Sequence, residues 1–384
     1  MAAPHPAPPG EPSLDLLHAL GWYAREVVGL ERLFRHVTVK RRRNLARPVK
    51  RRKSAFRDPM ICCDLLAMAW LGATRLSHVE THLQHRRDLA QALGLPRFCD
   101  HTTAHNFLNA FHVAHLRQLD AVNERLLREH GSALTQRAPI LDVDSAERVV
   151  RRAGRQHDRV YRWAVAFCAG EALAQDLRVQ CADGSALVAD LVSRACRLLS
   201  GKPRLVRLSA ACASHEVFRA LARQRLPFLA TVPWAQALAD RPGERGPRRW
   251  AVLPDASRVL DLGAALSVPG TTRWARTVLV ERPAPAPGLR RERWAIVTSL
   301  LREPASALLR LAASMCRLRP FYGHRLWPLG DGKLPSSGPR GNAAWLRLAT
   351  IAMNTLRLFA RQLGGEWTPS RLHARLRLIP WERE

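Results

Sequence analysis

The sequence predicts an α/β protein in which an all-helical N-terminal region precedes a mixed β-sheet. Through the first third of the chain, apolar residues recur at the spacing of amphipathic helices. From Ala138 the apolar residues fall into short, often alternating runs, which is the pattern of strands. The chain has 384 residues, of which 47% are hydrophobic and 24% charged, as expected for a globular protein with a large core.

The extreme N-terminus and the cysteines bear on where the protein works. Residues 1–13 form a loose Pro/Ala-rich leader that lacks the basic-then-apolar order of a signal peptide. No apolar stretch approaches the roughly 18 residues of a membrane span, so no membrane partner is expected. The eight cysteines include no CxxC pair, and most lie in apolar runs. They predict reduced core thiols in a cytoplasmic protein. A cytoplasmic protein that binds DNA is expected to be nucleoid-associated.

The N-terminal region, residues 14–135, is predicted to be a series of helices that bind DNA. Leu14–His36 carries an apolar stripe at helical spacing. Asp58 is expected to cap the helix that follows it, and Asp100 to cap a helix over Ala104–Leu116. The region therefore has clear helix starts as well as apolar faces.

Two histidine pairs in this region, His78 with His82 and His101 with His105, have the i,i+4 spacing of a metal-binding pair. No carboxylate or cysteine completes either pair convincingly in the sequence. We therefore expect solvent-facing or core histidines at these positions rather than a metal site.

The net charge indicates a polyanionic partner. The chain has 61 lysines and arginines against 32 aspartates and glutamates, a formal net charge of +29. Nucleic acid is the usual partner of such a charge. Nearly all the basic residues are arginine, and a GC-rich coding sequence also produces that composition without selection for binding. The clustering of the charge nevertheless favours nucleic-acid binding.

The densest basic run lies at residues 40–53. It is either a solvated loop or an arm that tracks DNA phosphates. If it neutralised about six phosphates, affinity would fall about a thousandfold between 50 and 200 mM salt. Its DNA-binding candidates are Lys40, Arg41, Arg42, Arg43, Arg47, Lys50, Arg51, Arg52 and Lys53.

Residues 136–235 carry an ordered series of strand and helix patterns. Three strand-like runs come first, then a helix, a strand, a helix and a strand. This is the order of an RNase H-like sheet. The predicted elements are Ile140–Val143, Tyr161–Phe167, Ala172–Val179, Ser185–Leu199, Leu205–Leu208, Glu216–Gln224 and Phe228–Val232.

The remainder of the chain is predicted to interrupt and then complete this core. Residues 236–293 are rich in Pro, Gly and Arg with short β-like pieces, Trp250–Leu253 and Thr277–Val280, and predict a β-rich inserted subdomain. Residues 294–384 return to a strand and are expected to complete the core with C-terminal helices. The last long helix, Ala343–Leu363, is expected to end at a glycine cap.

Two carboxylates end the first strand of the core. Asp142 and Asp144 lie two residues apart, so they share one face of a strand. Carboxylates presented into a polar cleft are one way to begin a metal site for phosphate chemistry. The alternative is a strand that runs into an acidic turn.

Taken together, the motifs resemble the cut-and-paste insertion-sequence transposases with an RNase H-like core and an Asp-Asp-Glu (DDE) triad. The resemblance covers most of the chain and depends on the order and spacing of several short pieces. The pieces are Leu93–Phe98 with His101–Thr103, Leu141–Ser145 with Gly154–Gln156, Leu177-Arg178 with Gly184-Ser185, and Asn342 with Leu346–Asn354.

The resemblance implies a reaction and its partners. Asp144 would be the first catalytic acid and a metal ligand, with Asp142 beside it. The family cleaves and rejoins DNA with Mg²⁺ or Mn²⁺. Its partners are double-stranded DNA, both terminal inverted repeats and target DNA, and its members commonly act as homodimers across two DNA ends.

The chain departs from the family at the other two acids. Ser209 stands where the second aspartate is expected, and Gly323 or a close neighbour stands at the glutamate. Four other acids could substitute for the missing two, but each has a simpler interpretation. Asp183 is expected to cap a helix and Asp190 to be a surface charge, whereas Asp331 lies in a predicted turn and Glu303 at a predicted helix start. Only Asp144 survives on this alignment, so the resemblance implies a degenerate catalytic triad.

Three functional hypotheses follow. The chain is an active transposase with a relocated acid, a transposase-like DNA-binding protein impaired in catalysis, or a basic RNA- or ribosome-associated protein whose resemblance is accidental. We favour the second, because a two-metal centre needs several carboxylates.

Overall fold

The computed structural model describes residues 12–39, 56–73, 75–150, 159–179, 184–235, 250–263, 266–267, 274–284, 291–316, 335–336 and 338–378. Several predictions of function fall outside these ranges: the basic run 40–53, the motif Gly154–Gln156, and Asp183, Gly323 and Asp331. The described residues form two compact units. One holds residues up to 132 and from 335 onwards, and the other holds residues 133–148 and 160–316.

The secondary structure follows the predicted order of helices and strands. The helices are α1 Leu14–Trp22, α2 Leu30–Phe34, α3 Asp58–Trp70, α4 Arg87–Ala92, α5 His101–Asn109, α6 Val113–His130, α7 Gly184–Leu198, α8 His215–Arg223, α9 Ala305–Cys316, α10 Pro339–Leu363 and α11 Pro369–Leu376, with π-helical turns at Tyr23–Val27 and Val79–Leu83. The strands are β1 Ile140–Val150, β2 Arg159–Cys168, β3 Glu171–Val179, β4 Leu205–Leu208, β5 Phe228–Pro233, β6 Ala251–Val252, β7 Arg258–Asp261, β8 Leu266–Ser267, β9 Trp274–Arg282 and β10 Glu292–Thr298. None of the described helices is both long and apolar enough to cross a bilayer.

The first unit is a helical bundle organised around α10. This helix is buried on all sides from Gly341 to Leu356, and it packs against α3, α5, α6 and α11. A helix buried all round is a core helix. The two C-terminal helices, α10 and α11, both belong to this unit.

Polar side chains fix α10 to its neighbours. Arg347 donates to the carboxylate of Asp120 at 2.8 Å, and the Asn354 amide donates to Asn123 at 2.8 Å. The indole of Trp70 donates to the carbonyl of Ala352, also at 2.8 Å. Buried polar groups are satisfied by partners in this way, and here the partners are more than 200 positions away in the sequence.

Local signals set the helix boundaries, with some corrections. Asp100 caps α5 as predicted by accepting from the Thr103 N–H at 2.7 Å, but the helix begins at His101 and does not continue to Leu116. Asp58 is the first residue of α3 rather than its cap; its carboxylate accepts from the Val39 N–H. Gly29, at φ 67°, separates α1 from α2 and interrupts the single helix predicted over Leu14–His36.

The second unit contains the predicted mixed sheet. The strand order is β3-β2-β1-β4-β5-β10-β9-β7-β6, with β8 paired to β9. Strands β1, β4 and β5 are mutually parallel, and β2 pairs antiparallel with β3. The first five strands in this order are those of an RNase H-like sheet, which confirms the predicted fold class.

The described strands of the inserted segment extend this sheet. Strand β10 pairs antiparallel with both β5 and β9, and β9 pairs with β7. The two predicted β-like pieces fall in β6 and β9. One face of the extension packs on α9 through a cluster that includes Val278, Val280, Ile296 and Leu308.

The cysteines whose side chains the structure describes are free thiols. Burial raises the pKa of Cys168 to about 11, so its thiol is protonated at neutral pH. Thiols of this kind react slowly, because the thiolate is the nucleophile. The free thiols are Cys62, Cys63, Cys99, Cys168, Cys196 and Cys212.

Candidate functional site

The pairing of β1 with β4 brings Asp144 next to Ser209. Val143 is in register with Leu208, and the Ser209 N–H donates to the Val143 carbonyl at 3.0 Å. Asp144 follows Val143, and Ser209 follows Leu208. The two residues therefore lie side by side at the edge of the sheet where β4 ends. The carboxyl ends of parallel strands are where α/β sheets bind their ligands.

Asp144 has the exposure that a reactive carboxylate needs. It is half-buried. One of its oxygens accepts from the Ser145 N–H at 2.9 Å. The carboxylate is therefore partly accessible to solvent at this position.

Ser209 cannot take over the role of a second acid. Only 1% of the residue is exposed, and its hydroxyl donates to the Cys212 sulfur at 3.5 Å across a short 3₁₀ turn. A hydroxyl carries no charge with which to attract a cation. The residue beside Asp144 is therefore uncharged, and its hydroxyl is engaged in a local hydrogen bond.

Asp142 is bound by an arginine and not presented to a cleft. It is 4% exposed, and Arg207 contacts both of its oxygens, Nε to Oδ1 at 2.5 Å and Nη2 to Oδ2 at 2.7 Å. Burial raises the pKa of the Asp142 carboxyl, and the guanidinium opposes that effect. We therefore revise the interpretation of Asp142 from a catalytic candidate to a packing residue.

Arg207 joins three elements of the second unit. Besides Asp142 on β1, it donates through Nη1 to the Leu311 carbonyl at 2.8 Å and to the Ser314 hydroxyl, both on α9. Arginine suits such a position because its planar group offers five fixed N–H donors. The sequence contained one unused signal for this network: a charged residue in the otherwise apolar strand Leu205–Leu208 requires a buried partner.

A pocket of about 240 Å³ is lined on β1 by Ser145 and Glu147, which follow Asp144 in the strand. Its polar wall includes the hydroxyls of Ser185 and Ser214, which lie 2.8 Å apart and begin α7 and α8. Arg162 and Glu147 form an ion pair of 2.7 Å at the same pocket. Helix N-termini and hydroxyls create surroundings that favour a polar or negatively charged group.

The donors in the described residues do not fit a two-ion metal centre. No group of three or more His, Cys, Asp or Glu side chains able to hold an ion occurs among them. Two divalent ions about 3.5–4 Å apart need several carboxylates to offset their repulsion. At the strand ends Asp144 supplies one carboxylate, and its neighbour Ser209 supplies none.

The other candidate acids and the histidines have separate partners. Asp190 pairs with Arg178 at 2.7 Å, which agrees with a surface charge. His101 pairs with the carboxylate of Glu80 in the helical unit, a contact that sequence spacing did not predict. His78 and His82 touch through their rings with centroids 5.6 Å apart.

Comparison with known proteins gives matches at the level of structure only. No protein-family description and no curated protein matches the chain. A piggyBac transposase synaptic complex with hairpin DNA is similar at 12% identity and a TM-score of 0.43, over 94% of this chain and 78% of that one. An endonuclease V from Bacillus subtilis is similar at 11% identity and a TM-score of 0.23, over 54% of this chain and 92% of that one.

Both TM-scores lie below 0.5, so the fold assignment rests on the strand order and register. On that basis the chain has an RNase H-like mixed sheet. Within β1, beside the end of β4, a half-buried aspartate lies next to a buried serine.

Proposed function

We propose that this protein is a transposase-like DNA-binding protein of the DDE type that is impaired in strand cleavage. The observation that carries the proposal is the hydrogen bond from the Ser209 N–H to the Val143 carbonyl. It sets Ser209 beside Asp144, at the position where the resemblance requires the second catalytic aspartate. The net charge of +29 supports DNA as the partner.

The expected loss of catalysis follows from the charge that a two-ion site needs. Disturbing the outer partners of metal ligands already costs about 10–100-fold in affinity or activity. Replacing a ligand carboxylate by a neutral, buried hydroxyl removes charge directly at the ions, so the loss should be at least as large. Mg²⁺ or Mn²⁺ would then bind too weakly at Asp144 to support cleavage.

Cleavage is the first test of this proposal. With Mg²⁺ or Mn²⁺ and duplex DNA carrying the inverted repeats that flank the gene, we expect no strand cleavage above background. The variant Asp144→Asn should behave like the wild type. Robust cleavage that disappears in Asp144→Asn would instead establish an active enzyme with a relocated acid, and Asp331→Asn would test one candidate for that acid.

DNA binding is the second test, and it concerns the basic run. We expect the protein to bind duplex DNA with an affinity that falls steeply with salt. In the variant Arg41→Gln/Arg42→Gln/Arg43→Gln, the slope of log affinity against log salt should be smaller by about 3, close to one unit per lost phosphate contact.

A matched control separates this arm from general charge. Arg197, Arg204 and Arg223 are exposed arginines of the second unit, and their triple replacement by glutamine removes the same charge. The control should leave the slope nearly unchanged. Preferential binding of RNA over duplex DNA would overturn the proposal in favour of an RNA- or ribosome-associated protein.

The proposal extends to assembly on DNA. A homodimer that spans two DNA ends is the state that the resemblance implies, and light scattering with and without inverted-repeat duplex measures it. A monomer that stays monomeric on two-ended DNA would remove this part of the proposal.

A further inference from the structure

The far end of the sheet extension carries a cluster of arginines and tryptophans on one face. Three of its residues occupy neighbouring strands in direct register, because Arg293 on β10 and Arg258 on β7 both pair with Glu281 on β9. We call it the Arg/Trp patch and define it as Trp234, Trp250, Arg258, Glu281, Arg291 and Arg293.

The patch holds its arginines in place. The two indole rings stack with centroids 6.0 Å apart and planes 3° from parallel. The Arg293 guanidinium carbon lies 5.7 Å from the centroid of Trp234, and that of Arg258 lies 5.1 Å from the centroid of Trp250. Cation–π contacts of this length stabilise an arginine in one orientation.

Glu281, on the strand between those of Arg258 and Arg293, forms ion pairs with the same arginines. It is 5% exposed, and it accepts from Arg291 at 2.5 Å and from Arg293 at 3.2 Å, with Arg258 at 3.6 Å. The hydrogen bond from Arg291, with the nearby arginine charges, lowers the pKa of Glu281 against the opposing effect of burial. The carboxylate is therefore ionised at neutral pH.

The arginine heads nevertheless face solvent. The side chains of Arg258, Arg291 and Arg293 are 40%, 53% and 59% exposed. Three positive charges surround one negative charge, which leaves a net charge of +2. A guanidinium has five N–H donors, more than these contacts with Glu281 use, so donors remain for a ligand with several acceptor oxygens.

The patch lies toward the edge of the sheet where β4 ends, on the face opposite that of Asp144. Arg293, Glu281 and Arg258 alternate with Trp294, Val280 and Val259, which pack toward α9, and Arg207 beside Asp142 also contacts α9. Ser209 follows β4, and since Leu208 pairs with Ala230, Ser209 is level with Thr231 of the parallel strand β5. Trp234 is three residues further along, about 10 Å beyond this row. Arg293 is on the third strand from β1, roughly 14 Å across the sheet.

We propose that the Arg/Trp patch binds the phosphate backbone of duplex DNA. This inference rests on the proposed function, because it assumes that duplex DNA is the partner. Duplex DNA carries one negative charge per about 1.7 Å of its axis, so it offers several phosphates to three neighbouring arginines. Arginine forks match phosphate oxygens bidentately.

The stacking favours backbone contact over base contact. Each tryptophan ring already has another ring and a guanidinium as neighbours. Single-stranded DNA would need an open ring face on which a base could stack. The rings therefore serve as supports for the arginines, and the arginines contact the ligand.

The test compares two full-length variants with the same loss of charge. The patch variant is Arg258→Gln/Glu281→Gln/Arg291→Gln/Arg293→Gln, which removes three positive charges and one negative charge, a net change of −2. Replacing Glu281 as well avoids leaving a buried carboxylate without its partners. The control variant Arg204→Gln/Arg223→Gln has the same net change; Arg204 immediately precedes β4, at the opposite edge of the sheet.

Binding to duplex DNA is measured from 50 to 200 mM salt for all three proteins. Losing three phosphate contacts should reduce the salt slope by about 2.7, so the affinity of the wild type should fall about 40-fold more over this range than that of the patch variant. The control should resemble the wild type. Thermal unfolding confirms that the variants are folded.

The outcomes separate this inference from the function on which it rests. A wild type that binds no duplex DNA overturns both. A wild type that binds, with a patch variant of unchanged slope or a control of equally reduced slope, overturns the patch alone. A reduced slope on single-stranded DNA but not on duplex overturns the assignment to duplex backbone.

Discussion

Replacing Arg207 by methionine is expected to lower the free energy of unfolding of the second unit by about 3–5 kcal/mol. The substitution leaves the buried Asp142 carboxylate without its bidentate partner and removes the contacts to Leu311 and Ser314 on α9. A buried charge that loses its partner keeps its full desolvation penalty. Urea unfolding of the wild type and the variant measures the difference.

The double variant Asp142→Leu/Arg207→Met is the matched control. Replacing both members of a buried ion pair by apolar residues of similar size is often neutral or stabilising. We therefore expect the double variant to recover most of the stability lost in Arg207→Met. A double variant as unstable as the single one would show that the cost lies in packing around Arg207 and not in the unpaired carboxylate.

The second large effect is on the pH dependence of stability and comes from Asp64. This residue of α3 is 2% exposed, and it accepts from the Cys99 N–H at 3.0 Å. Burial raises the pKa of Asp64 to about 7. The folded chain thus keeps a proton that the unfolded chain has already released, and folding is most favoured by this group at low pH.

The sign of the effect follows from proton linkage. Between a pKa of about 3.8 when unfolded and about 7 when folded, the native state binds more protons, so the free energy of unfolding falls by about 1.4 kcal/mol per pH unit. The variant Asp64→Asn cannot titrate. The difference in unfolding free energy, variant minus wild type, should therefore rise by roughly 3 kcal/mol from pH 5 to pH 8.

An exposed aspartate of the same unit provides the comparison. Arg86 lowers the pKa of Asp88 through a hydrogen bond, so Asp88→Asn should not produce a rise of this sign. Parallel stability curves for Asp64→Asn and the wild type across pH 5 to 8 would show that Asp64 is ionised in the native protein at neutral pH.

The two units have separate physical roles under the proposed function. The helical unit is built around a C-terminal helix, and the described part of the sheet unit carries Asp144 and the Arg/Trp patch. Phosphate contacts position a protein on DNA without reading its sequence. Binding can therefore persist in a chain whose cleavage centre has lost its charge.

The sequence predicted the strand order well because that order is encoded locally. Alternating and helical periodicities marked β1 to β5 with α7 and α8, and connections of this kind have few allowed topologies. The same reasoning placed Ser209 after β4, where the register sets it beside Asp144. The role of the basic run 40–53 stays a prediction, because these residues lie outside the described structure.

Residue patterns were thus sufficient for the fold class and for the placement of Asp144 on β1 and of Ser209 after β4. They did not show that Arg207 pairs with Asp142 or that α10 is the central helix of the N-terminal bundle. Nor did they show that Arg258, Glu281 and Arg293 lie side by side on neighbouring strands. Those contacts join residues 65 or 227 positions apart, or neighbouring strands of the inserted segment whose register the sequence pattern does not set. Periodicity reports which face of an element is buried, whereas the partner on that face depends on how distant elements pack.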